Sequence, residues 1–118
     1  MATKKGTELT DLPVFERKGW KDPLADVVEE LVYAPDMNFF YHVLSERQRG
    51  GTGKRYTNRD GALPVGGRYQ EFEVKGAQDA RRIVVNMDTC DVFATRDHYD
   101  RMHYAGNPDF SENEWKNW

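Results

Sequence analysis

Two hydrophobic periods follow one another along this chain, and the change from one to the other limits the folds open to it. Leu24, Val27, Val28, Leu31 and Val32 recur at three- and four-residue spacing, one stripe on a helix, with Asp26, Glu29 and Glu30 turned to water. From Tyr69 the period falls to two: Tyr69, Glu71 and Glu73 share one face of a strand, and Gln70, Phe72 and Val74 share the other. After a turn over KGAQDA, the β-branched run Arg81 to Met87 reads as a partner strand, and a third strand is expected over roughly Asp91 to Thr95. The order is therefore a helix followed by several strands. At 118 residues the chain suits a single domain, residues 1–118, built on one core.

The helix has legible ends. Asp22 caps it and Pro23 takes the first helical position, while Ala34 closes it because a residue before proline is pushed out of the helical region. Asp36 to Gln48 fits either a second short helix capped by Asp36 or a strand over FFYHVL, and both bury Phe39, Phe40 and Leu44. His42 within this aromatic run is expected to be hydrogen-bonded and partly buried. Residues 1–21 form a polar lead-in whose Leu12, Val14, Phe15 and Trp20 are available for packing. The GGTG at 50–53 has no strand leading into it and no GK[ST] ending it, so it reads as a flexible connector. Residues 104–118 form a C-terminal extension whose Trp115 and Trp118 either cover part of the core or belong to a disordered end, the packed extension being the favoured reading. Cys90, the single cysteine, excludes an internal disulfide, fits no metal motif and is expected to be a small core residue on a strand.

Charged residues at 31% and a formal charge of −3 describe a soluble protein with no membrane-spanning stretch. MATKKGTELTDLP lacks the apolar run of a signal peptide. The negative balance argues against sequence-blind nucleic-acid binding, which needs many phosphates neutralised. Cations nevertheless gather in the middle third, at Arg47, Arg49, Lys54, Arg55, Arg59, Arg68, Arg81 and Arg82, while Asp22, Asp26, Glu29, Glu30, Asp109, Glu112 and Glu114 lie towards the ends. That asymmetry favours a basic cleft in an acidic molecule.

Arg68 to His98 carries the candidate chemistry. If Val74 faces Arg81 across a hairpin, Glu73 faces Arg82 and Glu71 lies diagonal to it. The third strand would return the segment bearing His98 over the same sheet. A carboxylate, a guanidinium and an imidazole brought together can move protons around a phosphodiester and stabilise its developing charge. The plainer alternative is a surface ion pair between Glu and Arg, contributing at most about 1 kcal/mol, with His98 a solvated histidine in the polar TRDHYD context.

Upstream, KRYTNRDGALPVGGRYQEF holds turn formers at Asn58, Asp60 and Gly61 and again at Pro64, Gly66 and Gly67. It reads as a polar surface loop between two strands. It also reads as a turn able to lay a nucleobase against Tyr56 and accept its hydrogens at Asp60. Guanine presents two neighbouring donors that suit a carboxylate.

YTNRDGALP, then RYQEFEV, RRIVV and DVFATRDHY, in that order and with similar spacing, resemble the microbial guanyl-specific ribonucleases, the family of barnase and the streptomycete enzymes. The likeness covers about Lys54 to Met102. It implies an α+β fold, with an N-terminal helix or helices packed on an antiparallel sheet whose exposed concave face holds the site. It implies Glu71 as general base, His98 as general acid and Arg82 as phosphate clamp. Asn58, Arg59 and Asp60 become the guanine-recognition loop, with Tyr56 and Tyr99 as the stacking and phosphate-side aromatics. The activity implied is cleavage of RNA after guanosine through a 2′,3′-cyclic phosphate, without cofactor or metal. The chain departs from the pattern at Asp60, where the family usually has Glu. It also departs between Glu71 and Arg82, where the connection is short and an expected second arginine is missing, with Gln78 nearby.

A binding or interaction module that kept the fold without catalysis is the alternative. A third reading is a toxin domain, secreted or delivered as part of a longer polypeptide, acting as a monomer on RNA and held in check by an acidic, barstar-like inhibitor or immunity protein that covers the basic cleft.

Overall fold

The structure, a computed structural model, describes residues 8–16, 20, 23–47, 54–58, 62–76, 81–95 and 101–108. Two helices, α1 (Pro23–Val32) and α2 (Met37–Arg47), precede five strands: β1 (Lys54–Tyr56), β2 (Tyr69–Phe72), β3 (Arg82–Asn86), β4 (Val92–Thr95) and β5 (His103–Gly106). The strands follow one another in space as in sequence, β1-β2-β3-β4-β5, each antiparallel to the next. This is the expected α+β arrangement, helices packed on an antiparallel sheet.

Of the apolar stripe of α1, Leu24, Val27, Val28 and Leu31 are buried as their spacing predicts and Val32 is partly buried, with Ala25 buried beside them, while Asp26 stays exposed. Asp22, the expected cap, lies outside the described residues. Against the stripe lie Phe72, Ile83, Val85, Val92 and Ala94 from the helix-side face of the sheet. Each fully buried side chain of this kind contributes about 1.5–3 kcal/mol. For the ambiguous second segment, the helix is the outcome. The Asp36 carboxylate accepts the backbone N–H of Phe39 at 2.8 Å, the geometry of an N-cap.

The buried stripe of α2 is Met37, Phe40, Val43 and Leu44. Successive helical residues are turned by about 100°, so this stripe leaves Phe39 and His42 on the flank. Phe39 is 40% exposed and His42 is exposed as well, contrary to the expected burial of both. Arg47 and Glu30 tie α2 to α1 through a 2.7 Å ion pair, and the Arg47 carbonyl accepts the N–H of Lys75, fixing the end of α2 beside the end of β2.

Three further segments differ from expectation. Lys54–Tyr56, inside the predicted loop, pairs with β2 as an edge strand; three residues are too few to display a period. Tyr104–Gly106, assigned to the C-terminal extension, belong to β5, while Trp115 and Trp118 lie outside the described residues. Cys90 is buried but sits in the turn before β4 at φ 66°, where its N–H reaches the Asn86 carbonyl at 2.7 Å. Burial, reinforced by the Asp91 charge, pushes its thiol up to about 11. The lead-in is tied down in part. Phe15 donates to Tyr104 and Tyr104 to Pro13 across a parallel bridge, and Phe15 packs on the buried Trp20, although Val14 is 69% exposed. The GGTG connector lies outside the described residues.

Candidate active site

Register sorts the face of the sheet away from the helices into rungs, because directly opposed residues point to the same side. Tyr69 faces Asn86 and Glu71 faces Val84, so the next same-face pair is Glu73 with Arg82, the register expected from the sequence. Arg82 in turn faces Thr95, Val84 faces Phe93, and Phe93 faces Tyr104. On the other side Lys54 faces Glu71 and Tyr56 faces Tyr69. Glu73, Arg82 and Thr95 therefore form one rung. Lys54, Glu71, Val84, Phe93 and Tyr104 form the next, and Tyr56, Tyr69 and Asn86 the third.

The apolar part of this face is closed by a second core. Leu63, Tyr69, Val84, Phe93 and Met102 are buried together, with Leu9, Leu12, Tyr56, Ala62 and Tyr104 packed around them. The Tyr69 hydroxyl donates to the Pro64 carbonyl at 2.6 Å, drawing the loop before β2 onto the sheet. That loop passes close at Gly67, where a Cβ would lie 2.7 Å from the Asn86 amide nitrogen and 2.8 Å from the Tyr69 ring. Burial, with the charge of Asp91, pushes both Tyr69 and Tyr104 up to about 12, which removes them from proton transfer near neutral pH. Asp91 also accepts hydrogen bonds from Tyr104, Asn107 and Thr89, pinning the start of β4.

The polar part stays open around Glu71, Glu73 and Arg82. The Arg82 side chain is 13% exposed, with one terminal nitrogen 3.6 Å from the Glu73 carboxylate and the other donating to the Arg81 carbonyl at 3.0 Å. A guanidinium this deep needs a carboxylate partner, since removing either member of such a pair leaves an uncompensated charge. Its fork also suits a phosphate. Glu73 is thus one anchor of Arg82. Glu71, one rung along and partly buried between Lys54 and Val84, presents a second carboxylate beside it.

Asn58 stands at φ 56° and braces the loop between β1 and β2. Its side-chain oxygen accepts the N–H of Leu63 at 2.9 Å and its nitrogen donates to the Leu63 carbonyl at 2.8 Å. The amide thus ties Asn58 to Leu63. Tyr56 lies partly buried on the third rung, against the second core. Arg59, Asp60, His98 and Tyr99 lie outside the described residues. The chain has three histidines, and the other two are placed away from this face: His42 is on α2, and His103, facing Ala94, packs edge-on against Trp20 at 5.1 Å on the helix side.

Sequence reasoning missed Lys54 as the neighbour of Glu71, because β1 is too short to be read. Thr95 was assigned to a strand, but its place under Arg82 emerges only from the β3–β4 register.

A comparison with curated proteins finds no match. A family model described as ribonuclease matches residues 32–106, from the end of α1 to the end of β5, which is well over half of the chain and contains every rung of this face. Helices on a five-stranded antiparallel sheet, the Glu71–Arg82 face and this match lead to one conclusion: the chain belongs to the ribonuclease family, the microbial family that its motifs resemble, whose members cleave RNA.

Proposed function

We propose that the protein is an endoribonuclease that cleaves single-stranded RNA after guanosine, by transphosphorylation to a 2′,3′-cyclic phosphate followed by hydrolysis. The observation that carries this reading is the rung Glu73–Arg82–Thr95 beside Glu71. It sets a guanidinium beside two carboxylates on one face of the sheet, Glu73 at 3.6 Å and Glu71 one rung along. Two residues separate Thr95 from His98, three chain steps that reach at most about 11 Å. That reach allows the imidazole to approach Arg82, which opposes Thr95.

In the first step Glu71 takes the proton of the ribose 2′-hydroxyl as that oxygen bonds to phosphorus. The bond from phosphorus to the 5′-oxygen breaks, and protonated His98 gives its proton to the departing oxygen. Arg82 holds the phosphoryl oxygens and offsets the charge that builds on them, the part a metal plays in other nucleases. In the second step His98 takes a proton from water, the water oxygen bonds to phosphorus, the bond to the 2′-oxygen breaks, and Glu71 returns its proton there. The 2′-hydroxyl is the nucleophile, so DNA is not a substrate.

Guanine is selected by the loop that follows Asn58, with Asp60 as acceptor and Tyr56 and Tyr99 as aromatic surfaces. Asp60, one methylene shorter than the usual Glu, loosens that choice. An enzyme of this kind acts as a secreted or delivered toxin and needs an acidic inhibitor in the cell that makes it. The experiment is to incubate the protein with mixed-sequence RNA and a chelator, then map cut sites and termini. Cuts after guanosine ending in cyclic or 3′-phosphate are expected; dependence on added metal, or 5′-phosphate termini, refutes the mechanism.

A further inference from the structure

The helix-bearing face of the sheet is covered unevenly. α1 packs on β3, β4 and β5. At the opposite edge Arg55 and Thr57 stand exposed. Arg55 opposes Gln70 across β1 and β2, on the face away from Glu71. One rung further lie Thr57, Arg68 and Met87, the last two joined by a 2.7 Å backbone hydrogen bond.

These five side chains line a groove of about 370 Å³, within the range of small-ligand sites. Their chemistry is mixed: two guanidinium groups, a hydroxyl, an amide and a thioether. Tyr41 of α2 is 37% exposed; burial raises its hydroxyl, and the charge of Arg68 partly offsets this. The Nε of Arg68 is held by Asp88 at 2.7 Å, whereas Arg55 makes no ion pair among the described residues. An unpaired cation beside aromatic and apolar surface is what a nucleotide unit of single-stranded RNA requires, a charge for its phosphate and a flat partner for its base.

The groove lies across the β1 edge from the candidate active site. β1 is the edge strand and carries Lys54 on the Glu71 face and Arg55 on the groove face. Its two-residue alternation thus puts a cation on either side of one thin edge.

We propose that the groove is a distal RNA subsite: a strand held at Glu71 and Arg82 continues past Lys54, over the β1 edge, and places a nucleotide on Arg55, Thr57 and Tyr41. This rests on the ribonuclease reading of the opposite face. It makes the enzyme's affinity depend on substrate length, with Arg55 contributing nothing to the chemistry of the scissile linkage.

The test compares the wild type with Arg55→Ala on a guanylyl dinucleotide and on a single-guanine RNA of about a dozen nucleotides, at several salt concentrations. The expected result is a KM about tenfold higher on the longer RNA, and a salt dependence shallower by about 0.7 in log–log slope, because one phosphate fewer is neutralised. The dinucleotide kcat/KM is unchanged. Equal losses on both substrates, or none on either, overturn the subsite. So does binding of free uridine monophosphate at Thr57 and Gln70 with the longer RNA unaffected, which would make the groove a separate nucleotide site. Should the wild type cleave neither substrate, the ribonuclease reading fails and the groove is still testable. Anisotropy with a labelled RNA whose guanosine lacks the 2′-hydroxyl then shows a tenfold weaker Arg55→Ala complex if the groove holds RNA, and no difference if it does not.

Discussion

Replacing Asn58 by alanine removes a brace whose worth can be worked from the structure. Its side-chain oxygen accepts the N–H of Leu63, a residue with 0% exposure. Truncation leaves that donor with no side-chain acceptor, a cost of about 1–3 kcal/mol. Asn58 also sits at φ 56°, where a residue with a Cβ other than Asn or Asp costs roughly 1–2 kcal/mol. Together these give about 2–5 kcal/mol for Asn58→Ala. Asn58→Gly loses the hydrogen bonds but not the backbone preference, so it should be less destabilised than the alanine variant by about 1 kcal/mol. In a domain of this size each kcal/mol lowers Tm by about 4–8 °C. Urea unfolding and thermal melts of the three proteins make the comparison. Equal stability of the Ala and Gly variants would refute the backbone part. If both lie within about 0.5 kcal/mol of the wild type, Asn58 is no brace at all.

Other outcomes follow from the same geometry. Glu71→Gln should lower turnover by about 10²–10⁴-fold, measured by dinucleotide cleavage. Glu73→Gln should act through Arg82, raising KM more than it lowers kcat and destabilising the fold, since it strips one anchor from a cation that is 13% exposed. Gly67→Ala should cost about 1–3 kcal/mol, because its Cβ meets Asn86 and Tyr69 below 3 Å. Alkaline pH should unfold the protein. Tyr69 and Tyr104 are raised from 10.0 to about 12 and Cys90 from 9.0 to about 11. The folded state therefore holds more protons than the unfolded chain, and stability, complete below pH 9, falls as pH climbs through 11–12. A stability flat across that range by circular dichroism would contradict the burial of these groups.

The parts of the fold that announced themselves are those where a period repeats. The stripe of α1 survives because five apolar residues recur on one face. The β2–β3 register survives because alternation on both strands leaves few ways to oppose Glu to Arg. β1 did not announce itself: Lys54–Tyr56 is fixed by its hydrogen bonds to β2, not by any pattern of its own. β5 was absorbed into the tail because His103–Gly106 contains no β-branched residue. Phe39 and His42 were misjudged for a different reason. In a run as aromatic as NFFYHV, composition cannot say which side faces the core until helical phase is known, and that phase is set by the Asp36 cap. At the site, Glu71 and Arg82 were legible because strand geometry alone brings them to one face. The groove beside Arg55 was not, since it depends on how far α1 and α2 extend over the sheet.

The central claim, that Glu71, Arg82 and His98 work on one RNA linkage, is tested most directly by following a guanylyl dinucleotide with phosphorus NMR in the presence of chelator. A 2′,3′-cyclic phosphate should rise first and then convert to the 3′-monophosphate, with its formation abolished in Glu71→Gln and in His98→Ala. A 5′-phosphate product, or a cyclic phosphate formed at undiminished rate by either variant, would contradict it.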